Sequence, residues 1–153
     1  METTNAFVGE HILPGEIGYF LSALSLVSSI VATYAFARAF FNTALDQQKR
    51  WYDLAKIAFI TEAITVFSSF VILTYIISNH LFEYKYAYSH SDKSMPFEYL
   101  LSCFWEGQEG SFLLWSFWHC VIGLVILWKV QQNKTGLLMV ISFAQVLLGS
   151  MVL

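Results

Sequence analysis

The chain has 153 residues and a formal net charge of −3; 57% of its residues are hydrophobic, 18% aromatic and only 12% charged. A water-soluble domain carries about 25% charged residues, so this composition excludes an ordinary soluble globule and points to helices whose flanks face lipid. No basic stripe is present for a nucleic-acid backbone, which excludes that class of partner. The two cysteines, Cys103 and Cys120, fall outside any CxxC or metal-ligand spacing.

A membrane helix needs about 20 predominantly apolar residues. Residues 17–41 meet that requirement and form the first predicted span. No basic stretch precedes an apolar core at the start, so this span is expected to act as its own uncleaved targeting signal. The second span is predicted over 54–78, the third over 111–130 and the fourth over 136–153. The fourth is still apolar at Leu153 with no closing Lys or Arg, so the chain reads as the opening part of a longer multi-spanning protein. One membrane domain is expected, all-α, with no linker to a second.

Glu62 stands out within the second span. A charge near mid-membrane costs roughly 2.5–3.5 kcal/mol on insertion scales, while about a dozen Ile, Leu, Val and Phe residues return about 0.3–0.6 kcal/mol each. Insertion therefore wins, and Glu62 is expected to face other helices. Either an interhelical hydrogen bond or a proton or cofactor role fits it.

Basic residues give the orientation. Arg38, Lys49, Arg50 and Lys56 lie around the connection between spans 1 and 2, and Lys129 and Lys134 flank that between spans 3 and 4. The start of the chain carries Glu2, Glu10 and Glu16 and no Lys or Arg. In the long connection between spans 2 and 3, Lys85 and Lys93 are outnumbered by acidic residues. The N-terminus and this long connection are therefore predicted to lie outside the cytoplasm. Asn133-Lys134-Thr135 spells a glycosylation acceptor, but on the predicted cytoplasmic side it is read as chance.

The outer connection is the informative part. Phe82, Tyr84, Tyr86 and Tyr88 alternate with Glu83, Lys85 and Ala87, a period of two that predicts an extended segment with its aromatics on one side. It serves either as an interfacial anchor or as a wall for a bulky flat ligand. Ser94-Met95-Pro96 reads as a helix start. Phe97, Leu100, Leu101, Phe104 and Trp105 follow at helical spacing, predicting a short helix lying on the membrane surface with its apolar face down. Gly107 and Gly110 allow a sharp backbone change into span 3. Glu109 suits the first turn of that span, where the helix dipole favours it by about 0.3–1 kcal/mol, and Ser111 is placed to satisfy an orphan amide.

Within span 3, His119 is expected to make a buried hydrogen bond or, less simply, to ligate iron through a neutral ring nitrogen. His80 and His90 read as solvated residues of the outer connection, Trp118 and Trp128 as lipid-facing, and Gln145 as interhelical glue. No nucleophile–base pair, nucleotide loop or metal cluster is visible, so no enzyme mechanism follows from these residues.

Trp105, Glu109-Gly110-Ser111 and Trp115 resemble the N-terminal signature of CcmF/CcsA-type cytochrome c biogenesis proteins, the haem lyase family. Leu13-Pro14-Gly15-Glu16-Ile17-Gly18-Tyr19-Phe20 is similar to that family's opening, and Leu73-Thr74-Tyr75 and Pro96 with Tyr99 also fall where the family has them. The sequence departs at Tyr19, where the family often has histidine, and at Glu106, where it often has a small residue. The family's tryptophan-rich motif and haem-ligating histidines are absent, and His11, His80, His90 and His119 match none of the ligands.

The resemblance implies a multi-pass protein of the bacterial cytoplasmic membrane. It would handle haem as cofactor, work with apocytochrome c and other maturation subunits as partners, and help join haem to Cys-x-x-Cys-His thiols on the outer face. Trp105, Glu109 and Trp115 would support the haem face, with no ligand assigned. The alternative is a membrane transport or interaction subunit without haem chemistry; an inert truncated product is a third reading.

Overall fold

The computed structural model describes residues 11–93, 95–96, 99 and 102–153. Its bounded elements are α1 (Ile12–Phe41), α2 (Leu45–Ser78), α3 (Lys85–His90), α4 (Cys103–Glu106), α5 (Gln108–Lys129) and α6 (Lys134–Val152). The described residues contain no strand. The long helices α1, α2, α5 and α6 are each long and apolar enough to cross a membrane, so this is an all-α, multi-spanning membrane fold.

Each predicted span is present, and the differences lie at the ends. α1 starts at Ile12 rather than residue 17, because Pro14 is tolerated in a first turn where its missing N–H has no partner to lose. α2 runs back to Leu45 through a polar turn that hydropathy alone leaves out; Arg50 there meets Asp46 at 3.2 Å on an exposed face. Such an exposed i,i+4 pair contributes only about 0.3–0.5 kcal/mol. The extra turns of α2 project beyond the hydrocarbon, so apolar counting stops short of them.

Residues 42–44 join α1 to α2 and residues 130–133 join α5 to α6. Connections that short make each pair antiparallel neighbours. α1 packs on α2 and α6, and α5 also packs on α2 and α6, closing a four-helix ring. Small residues recur every three to four positions on the buried face of α1, at Ser25, Ser28, Ser29, Ala32, Ala35 and Ala39, and Ala32 and Ala35 cluster with Ala55 and Ala58 of α2 around Phe36 and Phe59. Lipid tails are as apolar as leucine, so burying large apolar side chains gains little within a membrane. Close backbone approach through small residues brings the helices together instead. Val27, Ile30, Val31 and Tyr34 of α1 point outward accordingly, while Phe36 is fully buried against Phe59 of α2.

One end of the ring is capped by α3 and α4. α2 stops there in a Schellman arrangement. The Leu81 amide donates to the Ile76 carbonyl at 3.1 Å, the His80 amide donates to the Ile77 carbonyl at 3.1 Å, and His80 carries φ 53°. Leu81 packs back on Ile76 and on Ala87 of α3, the apolar contact that accompanies this cap. The extended aromatic segment predicted over 82–88 is not formed. The chain is helical from Lys85, with the Tyr88 amide bonded to the Tyr84 carbonyl at 2.9 Å. Burial of Ala87 at the centre of a helical turn, against Ile76 and Leu81, overrides the period-two pattern.

Of the predicted surface helix, Ser94, Phe97, Leu100 and Leu101 lie outside the described residues. Cys103–Glu106 is helical, but its two large side chains part company. Phe104 is buried and stacks on Phe70 at 4.4 Å, while Trp105 is exposed. This turn is therefore anchored to the bundle by Phe104 and does not lie with both rings toward lipid.

Candidate functional site

The capped end encloses a cavity of 390 Å³ between α1, α2, α3, α5 and α6. Pro14, Gly15, Gly18, Tyr19 and Ser22 of α1 form one wall. Ser69, Ile72, Leu73 and Ile76 of α2 face it, and Leu113 of α5 and Val152 of α6 close the floor. Lys85, Tyr86, Ser89 and His90 of α3, with Glu109 of α5, bring charge and hydrogen-bonding groups to the apolar interior.

Two tyrosines hold this mouth together. The Tyr84 hydroxyl accepts from the Gly15 amide at 2.9 Å and bonds the His11 carbonyl, so it satisfies an orphan donor in the first turn of α1. The His11 amide donates to Glu83 Oε1 at 3.1 Å, and this contact with the local backbone holds the Glu83 carboxyl below the usual carboxylate range. Tyr86 points the other way. Its hydroxyl donates to the Cys103 carbonyl at 2.9 Å and fills the space beside Gly107 and Gly110. Gly107 has ordinary extended angles, φ −101° and ψ 151°, so this corner needs its glycines for close approach and not for unusual torsions.

Burial raises the Tyr86 hydroxyl pKa to about 12, with the negative charges of Glu109 and Glu106 adding to the effect. Burial also pushes the Cys103 thiol up. Cys103 donates to the His90 carbonyl at 2.8 Å and is a packed structural thiol.

The three residues singled out by the motif do not converge. Glu109 lines the cavity from the first turn of α5. Trp105 and Trp115 are 68% and 59% exposed on the outside of the bundle. Ser111 does not cap α5; its hydroxyl reaches back to the carbonyls of Phe104 at 3.4 Å and Trp105 at 3.3 Å.

His90 is half-buried rather than freely solvated. Its ring stacks on Tyr86 at 4.6 Å and its Nδ1–H donates to the Tyr86 carbonyl at 3.0 Å, which leaves Nε2 free to act. His80 is also half-buried, with Nδ1 lacking a partner among the described residues. Composition gave no hint of either, because both depend on how α3 folds back over α2.

A second polar constellation lies deeper. Glu62, near the middle of α2, is 0% exposed, and neither carboxyl oxygen has a hydrogen-bond partner among the described residues. Gln145 of α6 sits beside it. The Gln145 amide group, however, donates to the Ser116 carbonyl at 3.1 Å and to Cys120 Sγ at 2.9 Å. Gln145 thus acts as the expected interhelical glue, between α6 and α5. Glu62 faces other helices as expected, and Gln145 is the side chain within reach of its carboxyl, without a hydrogen bond of good geometry between them. His119 likewise keeps a buried Nδ1 without a partner among the described residues.

Among the described residues no group of three His, Cys, Asp or Glu side chains is placed to hold a metal ion. The arrangement offers two chemistries: an amphipathic cavity with one anchored imidazole, one lysine and one carboxylate at its mouth, and a buried carboxyl available to exchange a proton. Compared with family models, curated proteins and solved structures, the chain gives no match.

Proposed function

We propose that the chain is the membrane portion of a cytochrome c assembly protein, one that helps deliver or attach haem to apocytochrome c at the outer face of a bacterial cytoplasmic membrane. The observation that carries this reading is the Trp105, Glu109-Gly110-Ser111, Trp115 run, within which Gly107 and Gly110 pack around Tyr86 and Glu109 lines the cavity while both tryptophans stay on the outside. The orientation follows from charge: Arg38, Lys49, Arg50, Lys56, Lys129 and Lys134 cluster toward the end opposite the cavity.

On this reading the cavity would receive part of a haem. At 390 Å³ it sits low in the roughly 300–1,000 Å³ range of small-molecule sites. Tyr86 and Tyr19 supply flat walls, Lys85 is a cation for a propionate, and His90 Nε2 is a nitrogen available to iron. Haem, when bound, supplies the vinyl groups that take up the apocytochrome thiols. This chain's residues hold and orient: Tyr84 fixes α1, Tyr86 fixes the corner, and Glu109 repels a second carboxylate and so favours one way round.

In the native gene, Glu109→Ala and Trp105→Ala are expected to lower covalently bound haem in c-type cytochromes at unchanged level of this protein. Haem staining of the cytochromes beside an immunoblot of the protein reads both quantities. Unchanged staining in both variants would replace this reading with a transport or interaction subunit lacking haem chemistry.

A further inference from the structure

We propose that Glu62 is a proton-binding site, loaded from the capped end of the bundle along a hydroxyl-lined track. The track can be followed residue by residue. The 390 Å³ cavity narrows past Ser22 and Ser69. A second, smaller void of 10 Å³ continues from the same two serines to Ser25 and Ser116, about the size of one water probe. The carbonyl of Ser116 accepts from Gln145, and Gln145 adjoins Glu62.

Unmet hydrogen-bonding capacity is concentrated along this line. Ser69 Oγ on the track, and Gln145 Oε1 and both Glu62 oxygens at its inner end, are buried without a partner among the described residues. Buried polar groups in folded proteins are nearly always paired, so this concentration needs a cause. A neutral carboxylic acid carries an O–H donor, and Gln145 Oε1 is an acceptor with its place open. With the Gln145 amide nitrogen engaged by Ser116 and Cys120, its open oxygen suits the neutral acid, whose O–H is a donor. The step is balanced: a hydronium ion at the mouth gives up its proton and becomes water, the proton passes the serine hydroxyls, and it joins the carboxylate to give the neutral acid. Release retraces the same route.

The groups facing Glu62 do not compete for that proton. From α5 the titratable neighbour is Cys120, already an acceptor for Gln145. From α6 it is Gln145, which does not titrate. The buried polar groups of α1 are Ser25, Ser28 and Ser29, and those of α2 itself are Thr65 and Ser69.

The chain reconstituted in lipid vesicles tests the proposal with dicyclohexylcarbodiimide, an apolar reagent that modifies protonated carboxyls, the adduct being located by mass spectrometry. The adduct is expected on Glu62, falling severalfold when the solution at the capped end is made alkaline and unchanged when only the opposite side is. Infrared spectra are expected to show a carboxylic-acid carbonyl band that follows the same side's pH and disappears in Glu62→Gln. Ser69→Val is expected to slow the response of that band without removing it. The proposal is overturned if both adduct and Glu62-dependent band are absent, if either ignores pH, if the opposite side governs them, or if sodium displaces the signal at fixed pH.

Discussion

Tyr86 is the side chain on which the capped end turns, because its ring fills the corner and its hydroxyl closes a hydrogen bond across 17 residues. Its pKa is raised from 10.0 to about 12 in the folded state. A group that holds its proton more tightly when folded stabilises fully below its unfolded pKa, so this contribution is present up to about pH 10 and lost as pH rises through about 12. An ultraviolet tyrosinate titration should show one late-ionising residue that vanishes in Tyr86→Phe. That variant should lose about 0.5–1.5 kcal/mol of stability with the hydrogen bond. His80 offers the opposite case. A non-glycine residue at φ 53° costs about 1–2 kcal/mol in the left-handed region, so His80→Gly should raise the melting temperature in detergent, and an unchanged value would mean that the cap does not hold in solution.

At the scale of elements, periodicity and turn chemistry account unequally for what formed. The four spans were legible because about 20 apolar residues in a row have one stable outcome in lipid. The polar first turns of α2 and the Pro14 turn of α1 were not, since they lie outside hydrocarbon and leave no hydropathy signal. The α3 helix was misread because Tyr84, Tyr86 and Tyr88 fit a two-residue period, while what decides the matter is the burial of Ala87, a contact with residues Ile76 and Leu81. Glu109 at the head of α5 could be placed from its motif; the cavity that it borders could not, because its walls come from five different helices. The serines at 22, 25 and 29, spaced three to four apart in an apolar run, were the one available hint of a polar track.

Helix spacing rests on glycine in one more place. Phe59 of α2 occupies the notch left by Gly123 of α5, where an added Cβ would stand 2.9 Å from a ring carbon. At the corner, a Cβ on Gly110 would stand 2.9 Å from the Phe104 carbonyl oxygen and would collide with the Tyr86 hydroxyl. Gly123→Ala and Gly110→Ala should each cost about 1–3 kcal/mol through overpacking. Thermal unfolding in detergent should register both losses, and only Gly110→Ala should also disturb the late tyrosine titration.

For the molecule as a whole, the bundle has two chemically different ends. At one, Arg38 lies over Trp51 at 5.5 Å and Lys134 over Tyr52 at 4.9 Å, so cations and rings share the boundary with the headgroups. At the other, Glu109, Lys85 and His90 line the cavity beside the tyrosine cap. The asymmetry predicts that a reporter active only in the cytoplasm is silent when fused near Ser91 and active near Asn133; the reverse pattern would invert every assignment of sides.

Tyr84 and Tyr86 stand two residues apart, yet one fastens the start of α1 and the other the start of α4, beside the corner that leads into α5. The two latches share a single short stretch of backbone, so a shift of α3 bears on both fastenings at once.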